Sequence, residues 1–129
     1  MKHLVILALV IFSLAACAAA EPDAIDLTAG NNGETIDASR NQILSIKLDS
    51  NITTGYKWNL VTEPNSAIVK LVSSKYNEPV GGGIGAGGSE TWQFLTIGTG
   101  VETIKLAYFR PFESNKQPAR EFSVIIRVQ

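Results

Sequence analysis

The sequence has one cysteine, one histidine and one methionine, and none of the three falls beyond residue 17. A single cysteine, Cys17, excludes an intramolecular disulfide and a cysteine-rich zinc site. With His3 at the extreme N-terminus, the body of the chain has neither imidazole nor thiol. Most hydrolase mechanisms thereby lose their base or their nucleophile. A dominant charge is missing too: 11 Lys and Arg face 12 Asp and Glu. The basic residues are scattered singly, so no nucleic-acid partner is expected. The acidic residues form no suggestive pair within one loop, which leaves a glycosidase-like mechanism poorly supported. Long helical periodicity is also absent, since no window of ten residues repeats its apolar positions at three and four. Helical bundles and βαβ folds are disfavoured.

What is present is enough for one folded domain. The chain has 129 residues, 45% apolar and 18% charged, so it can bury a core and wholesale disorder is not expected. Lys2 and His3 precede an unbroken apolar run over residues 4–12, followed by the small residues Ala15 and Ala16. A spanning helix needs about 20 apolar residues, and the run reaches that only if residues 17–20 are added. That reading is an N-terminal anchor helix. The sharper reading is Leu14-Ala15-Ala16-Cys17, which resembles a bacterial lipoprotein signal. The resemblance implies cleavage before Cys17, acylation of that cysteine, and a lipid anchor in the membrane. Each buried CH₂ of such an anchor is worth about 0.8 kcal/mol. Alanine at position 18 is similar to an outer-membrane sorting choice, which places the protein in the bacterial cell envelope facing the periplasm. Residues 1–16 are then the signal, 17–24 a lipidated cysteine and short tether, and 25–129 the domain.

The body reads as all-β. Leu44, Ile46 and Leu48 share one face, with Ser45 and Lys47 on the other. Tyr56, Trp58 and Leu60 alternate with Lys57 and Asn59, and Trp92 and Phe94 with Thr91 and Gln93. Ile104, Leu106 and Tyr108 form another apolar face, as do Phe122, Val124, Ile126 and Val128. The alternation over residues 67–72 is less clean, and a short helix over 67–74 would also satisfy it. Weaker strands are expected at 25–28 and 34–37. Six to eight strands with one apolar face each are most simply buried in a two-sheet sandwich, with a small barrel as the alternative.

Three connections between these strands are unusual. Asn51-Ile52-Thr53-Thr54-Gly55-Tyr56 can be a hairpin turn, but a turn explains the glycine and not two consecutive threonines. Its match to an N-glycosylation acceptor is discounted beside a bacterial lipoprotein signal. Residues 81–88 hold six glycines in eight positions, which suggests a linker. They lie between two aromatic-bearing strands, however, and lack the Lys-Ser/Thr and following helix of a phosphate loop, so no cofactor is expected. Bare backbone lying close against another surface is the further reading. In Tyr108-Phe109-Arg110-Pro111-Phe112, Pro111 ends a strand and leaves Phe112 in a polar loop. That phenylalanine either tucks over its own core or stands out as a binding anchor.

Taken together, these three segments resemble the chagasin-type inhibitors of papain-like cysteine proteases, over about residues 25–129. The resemblance implies an immunoglobulin-like two-sheet β-sandwich, no enzymatic activity, and three loops gathered into a wedge that closes the protease active-site cleft. It assigns the protease-binding role to Asn51, Thr53, Thr54, Gly55 and Tyr56, to Gly85, Gly87 and Gly88, and to Arg110, Pro111 and Phe112. Two positions depart from the pattern. Ile52 stands where proline is usual, and Phe112 where tryptophan is common. A reversible, noncovalent inhibitor acting as a monomer on a papain-like cysteine protease is the expectation. A periplasmic immunoglobulin-like adhesion or assembly module is the alternative, because a fold alone does not specify function.

Overall fold

The computed structural model describes residues 23–114 and 117–129. The expected signal peptide, Cys17 and nearly all of the tether lie outside the described residues. Eight strands run in the order β1 (Ala24–Leu27), β2 (Thr35–Ala38), β3 (Ile43–Ser50), β4 (Lys57–Leu60), β5 (Val69–Asn77), β6 (Gly88–Thr96), β7 (Gly100–Phe109) and β8 (Arg120–Val128). They form two four-stranded sheets, β1-β3-β6-β5 and β2-β8-β7-β4. The expected two-sheet sandwich is the observed architecture.

Alternation explains why the sheets face each other. Leu44, Ile46 and Leu48 of β3 and Phe94 of β6 turn inward from one sheet. Ile104 and Leu106 of β7 and Phe122, Val124 and Ile126 of β8 turn inward from the other, and all are at most 2% exposed. Burying each such side chain contributes about 1.5–3 kcal/mol, and a one-residue slip would turn a whole face to water. On the outer face, Arg127 of β8 pairs with Asp37 of β2. The hydrogen bond from Arg127 holds the Asp37 carboxyl below its ordinary range. Its small stabilisation is therefore present above the unfolded value near pH 4 and is lost as pH falls through the lowered folded value.

β5 differs from the sequence expectation. Asn65 accepts from the Ala67 N–H through its side chain and from the Ile68 and Val69 N–H groups through its carbonyl. Residues 67 and 68 are thus drawn into a turn, and the strand begins at Val69. It then continues over polar Ser73, Ser74 and Lys75, where no apolar face announces it. A register shift between Leu71 and Ser73 lets Val72 face solvent at 53% exposure. No helix forms here.

The strand pairing sets up two poles. β3, β5 and β7 all run toward one end, and β4, β6 and β8 return from it. The connections 51–56, 78–87 and 110–119 therefore share that end. The connection 28–34 stops lower, because β1 runs parallel to β3 and already ends where Leu27 pairs with Ile46. Ala24 pairs with Ile43, so the described chain enters at the opposite pole, and Val128 pairs with Gly100 there as well.

Candidate functional site

The connection 51–56 is not a hairpin turn, since β3 belongs to one sheet and β4 to the other. It is a corner between sheets, built around a short 3₁₀ turn at Ile52–Thr54. Asn51 caps the turn: its Oδ1 accepts from the Thr53 N–H at 3.2 Å and the Thr53 hydroxyl at 2.6 Å. The Thr54 hydroxyl donates to the Asn51 carbonyl at 2.6 Å. Gly55 closes the turn at φ 82°, a left-handed conformation that a Cβ would strain. Both threonine hydroxyls are consumed inside the loop. This is the requirement for two threonines that a simple turn did not supply.

Contacts between the loops bring the three motif segments together. The Asn51 side-chain amide donates to the Gly85 carbonyl at 3.0 Å, joining the central loop to the glycine loop. On the other side, Arg110 Nε donates to the Thr54 carbonyl at 2.9 Å. The Arg110 guanidinium also lies 4.5 Å from the Tyr56 ring centroid and bonds Glu113 at 3.0 Å. Phe112 is 73% exposed, yet its ring edge lies where a Cβ on Gly55 would approach within 2.9 Å. Each hydrogen bond is worth about 0.5–1.5 kcal/mol net and each exposed cation–π contact about 0.5–1. Several of them together offset much of the entropy that three free loops would otherwise lose on meeting a partner.

Beneath this surface lies an aromatic stack. Tyr56 stacks on Tyr108 at 5.2 Å and Trp58 meets the same ring at 5.1 Å, while Arg120 covers Tyr108 at 4.2 Å. Two arginines thus bracket a tyrosine pair. The Asn51 N–H donates to the Tyr108 hydroxyl at 2.9 Å, tying the start of the central loop to β7.

The two adjoining glycines of the glycine loop differ. A Cβ on Gly87 would meet nothing closer than 3.8 Å. A Cβ on Gly88, the first residue of β6, would come within 2.2 Å of the Asn77 carbonyl oxygen and 2.6 Å of the Tyr76 hydroxyl. The fold itself needs Gly88, whereas it leaves Gly87 free. Val80 and Ile84 on this loop are fully exposed and Ile52 is about half exposed, so the pole is studded with apolar side chains that have no core to join.

Sequence reasoning missed Glu90, which is 5% exposed. Its Oε2 accepts from the Ser50 hydroxyl at 2.6 Å and the Trp58 N–H at 2.9 Å. The signal was available, because alternation places Glu90 on the same inward face as Trp92 and Phe94. Among the described residues no group of three His, Cys, Asp or Glu side chains is arranged to hold a metal.

A family model described as Chagasin family peptidase inhibitor I42 matches residues 37–126. The chain is 29% identical to Chagasin of Trypanosoma cruzi over 105 residues, covering 78% of this chain and 94% of that one. It is 32% identical to Amoebiasin-2 of Entamoeba histolytica over 103 residues, covering 78% of this chain and 84% of that one. The crystal structure of the cysteine protease inhibitor EhICP2 from Entamoeba histolytica superposes with a TM-score of 0.73 at 25% identity, over 85% of this chain and 99% of that one.

Proposed function

This chain belongs to the chagasin family of peptidase inhibitors, and from that premise we propose that it inhibits papain-like cysteine proteases reversibly and noncovalently. The loop pole occludes the active-site cleft. The observation that carries this reading is the joining of three separate connections into one surface by Asn51 to Gly85 and Arg110 to Thr54. In this reading Asn51, Thr53, Thr54, Gly55 and Tyr56 present the central ridge. Gly85, Gly87 and Gly88 run along the cleft wall, and Pro111 and Phe112, backed by Arg110, cover the opposite rim.

The chemistry needed is exclusion. A papain-like thiolate attacks a carbonyl held in its cleft. An inhibitor stops it by filling the cleft with backbone whose carbonyls are out of reach and by removing water. A standard interface buries about 800 Å² per partner. The described domain offers no thiol to form a mixed disulfide. The strand-addition alternative fits less well. β5 is a nine-residue edge strand, but it carries Lys70 and Lys75 and a register shift at Val72, devices that blunt edge pairing.

The test is a titration of the purified protein against several papain-like proteases, with serine proteases as the contrast. Activity should fall stoichiometrically with the former and return on dilution, with the inhibitor recovered uncut by mass. Cleavage between residues 51 and 56 that tracks loss of potency would show a substrate instead, and indifference of every protease would remove the reading.

Ile52→Pro probes preorganisation within this site. Ile52 opens the 3₁₀ turn, a position that tolerates proline, and Asn51 before it is extended at φ −125° and ψ 95°. A compatible proline restricts the chain by an amount worth about 0.4–1 kcal/mol, and whatever part of that freedom the free loop keeps is then no longer lost on binding. The inhibition constant should stay level or improve up to about fivefold. A loss of affinity would show that the loop must shift on binding.

Lipid anchoring at Cys17, in a bacterial envelope, belongs to the same proposal. The domain's geometry suits it, because the described chain enters at the pole opposite the loops, across the roughly 26 Å length of β3. A membrane tether there leaves the wedge facing away from the bilayer. The protein should incorporate labelled fatty acid and partition with membranes, and Cys17→Ala should do neither while inhibiting undiminished. An unmodified Cys17 in the mature protein, found by mass, would refute the anchor and leave inhibition untouched.

A further inference from the structure

We infer that the buried carboxylate of Glu90 is a positioning residue for inhibition: it sets the distance between the two stems of the central loop. The inference rests on the wedge reading above and deepens it.

Glu90 lies inside the mouth of the sandwich, three residues into β6. A buried charge is a poor device for stability, and an apolar side chain of similar size often serves the core as well or better. Among the described residues both of its partners are neutral donors, so it is not half of an ion pair there. What it does hold together is specific. Ser50 is the last residue of β3, in one sheet, and Trp58 is the second residue of β4, in the other. They are the two stems of the loop 51–56. In an ordinary hairpin, ladder hydrogen bonds between the stems set their spacing. Among the described residues β3 pairs with β1 and β6, and β4 pairs with β7, so no ladder joins the stems. One side-chain bond crosses directly, from the Trp58 indole N–H to the Asp49 carbonyl at 3.0 Å, and Glu90 supplies the anchorage beside it. One oxygen, Oε2, accepts from both stems, at 2.6 and 2.9 Å.

The rest of the loop springs from the two stems that Glu90 holds. Asn51 follows Ser50 directly, and its side chain caps the 3₁₀ turn while reaching Gly85. Tyr56, two residues before Trp58, carries the stack that receives Arg110. A widened stem spacing would move both attachments to the neighbouring loops at once. Glu90 is buried beneath the loop and acts only through the stems.

The test uses Glu90→Gln, which keeps the volume and removes the charge, against Thr96→Val. Thr96 is buried on the same inward face of β6 but at the opposite pole, where its hydroxyl bonds Ser39 and Gln42. Glu90→Gln should raise the inhibition constant about tenfold or more. It should also speed amide hydrogen exchange at Thr54 and Gly55, whose N–H groups bond within the turn. Thr96→Val should lower the urea midpoint at least as far while leaving both readouts within twofold. Ser50→Ala should weaken inhibition less than Glu90→Gln and add little on top of it, because both changes loosen one clamp. The exchange measurement needs no protease, so whether Glu90 holds the central loop is decided separately from whether the wild-type protein inhibits. Unchanged exchange at Thr54 and Gly55 in Glu90→Gln overturns the inference, as does an inhibition constant that moves no more than that of Thr96→Val.

Discussion

Phe112→Ala is expected to weaken inhibition about thirtyfold while the urea midpoint stays where it is. Phe112 is 73% exposed, so removing its ring opens no cavity in the core and forfeits little folding free energy. On binding, the same ring would bury most of its surface, and truncation of a hot-spot aromatic costs about 2 kcal/mol or more, which is that factor. The ring also rests partly over the loop before binding, since its edge lies where a Cβ on Gly55 would approach within 2.9 Å. That contact lowers the orienting entropy lost on binding. Phe112→Trp adds area and an indole donor and should keep or improve potency. Inhibition constant and urea midpoint, measured together for both variants, decide it. A sharp fall in the midpoint of Phe112→Ala with an inhibition constant inside twofold would place the ring in the core.

Adjacent glycines should behave in opposite ways. Gly88→Ala forces a Cβ within 2.2 Å of the Asn77 carbonyl oxygen, which is backbone at the base of the β5–β6 hairpin and cannot step aside cheaply. Overpacking of this kind costs about 1–3 kcal/mol. At a urea slope of about 1–3 kcal/mol per molar, the midpoint should fall by roughly 1 M. Inhibition should fall with it, since the glycine loop springs from this residue. Gly87→Ala meets only ordinary contact at 3.8 Å and should unfold at the wild-type midpoint. If the glycine loop runs along a cleft wall, however, its Cβ intrudes on the protease and inhibition should weaken about tenfold or more by the same overpacking arithmetic. Normal inhibition by Gly87→Ala would move the glycine loop off the interface.

Most of the sandwich is legible in the sequence, because inward-facing residues such as Leu44, Ile46 and Leu48 or Phe122, Val124 and Ile126 repeat every second position. A strand with one dry face announces itself. β5 did not, since Ser73, Ser74 and Lys75 lie on an edge with no apolar side to alternate, and Asn65 bends residues 67 and 68 away from the strand they resemble. Candidate binding residues were legible for a different reason. Asn51, Thr54, Gly55, Gly87, Arg110 and Phe112 are residue types that caps, close approaches and exposed anchors need, set in short strings between strands.

The relations between those strings were not in the sequence. That Asn51 reaches Gly85 34 residues away and Arg110 reaches Thr54 56 residues away depends on which ends of which strands share a pole, and sheet pairing settles that. The same holds for Glu90. Local sequence marks it only as a polar residue on an apolar face, and its meaning comes from Ser50 and Trp58, brought to it from opposite sheets. By itself the sequence determined the two apolar faces, the absence of catalytic histidine and thiol in the body, and the chemistry of the loops, because composition and period-2 burial are local properties. Only the tertiary structure decided that three loops form one braced surface and that one carboxylate spans its central stems. Those are contacts across sheets, and no periodicity along a chain encodes a distance between strands that do not pair.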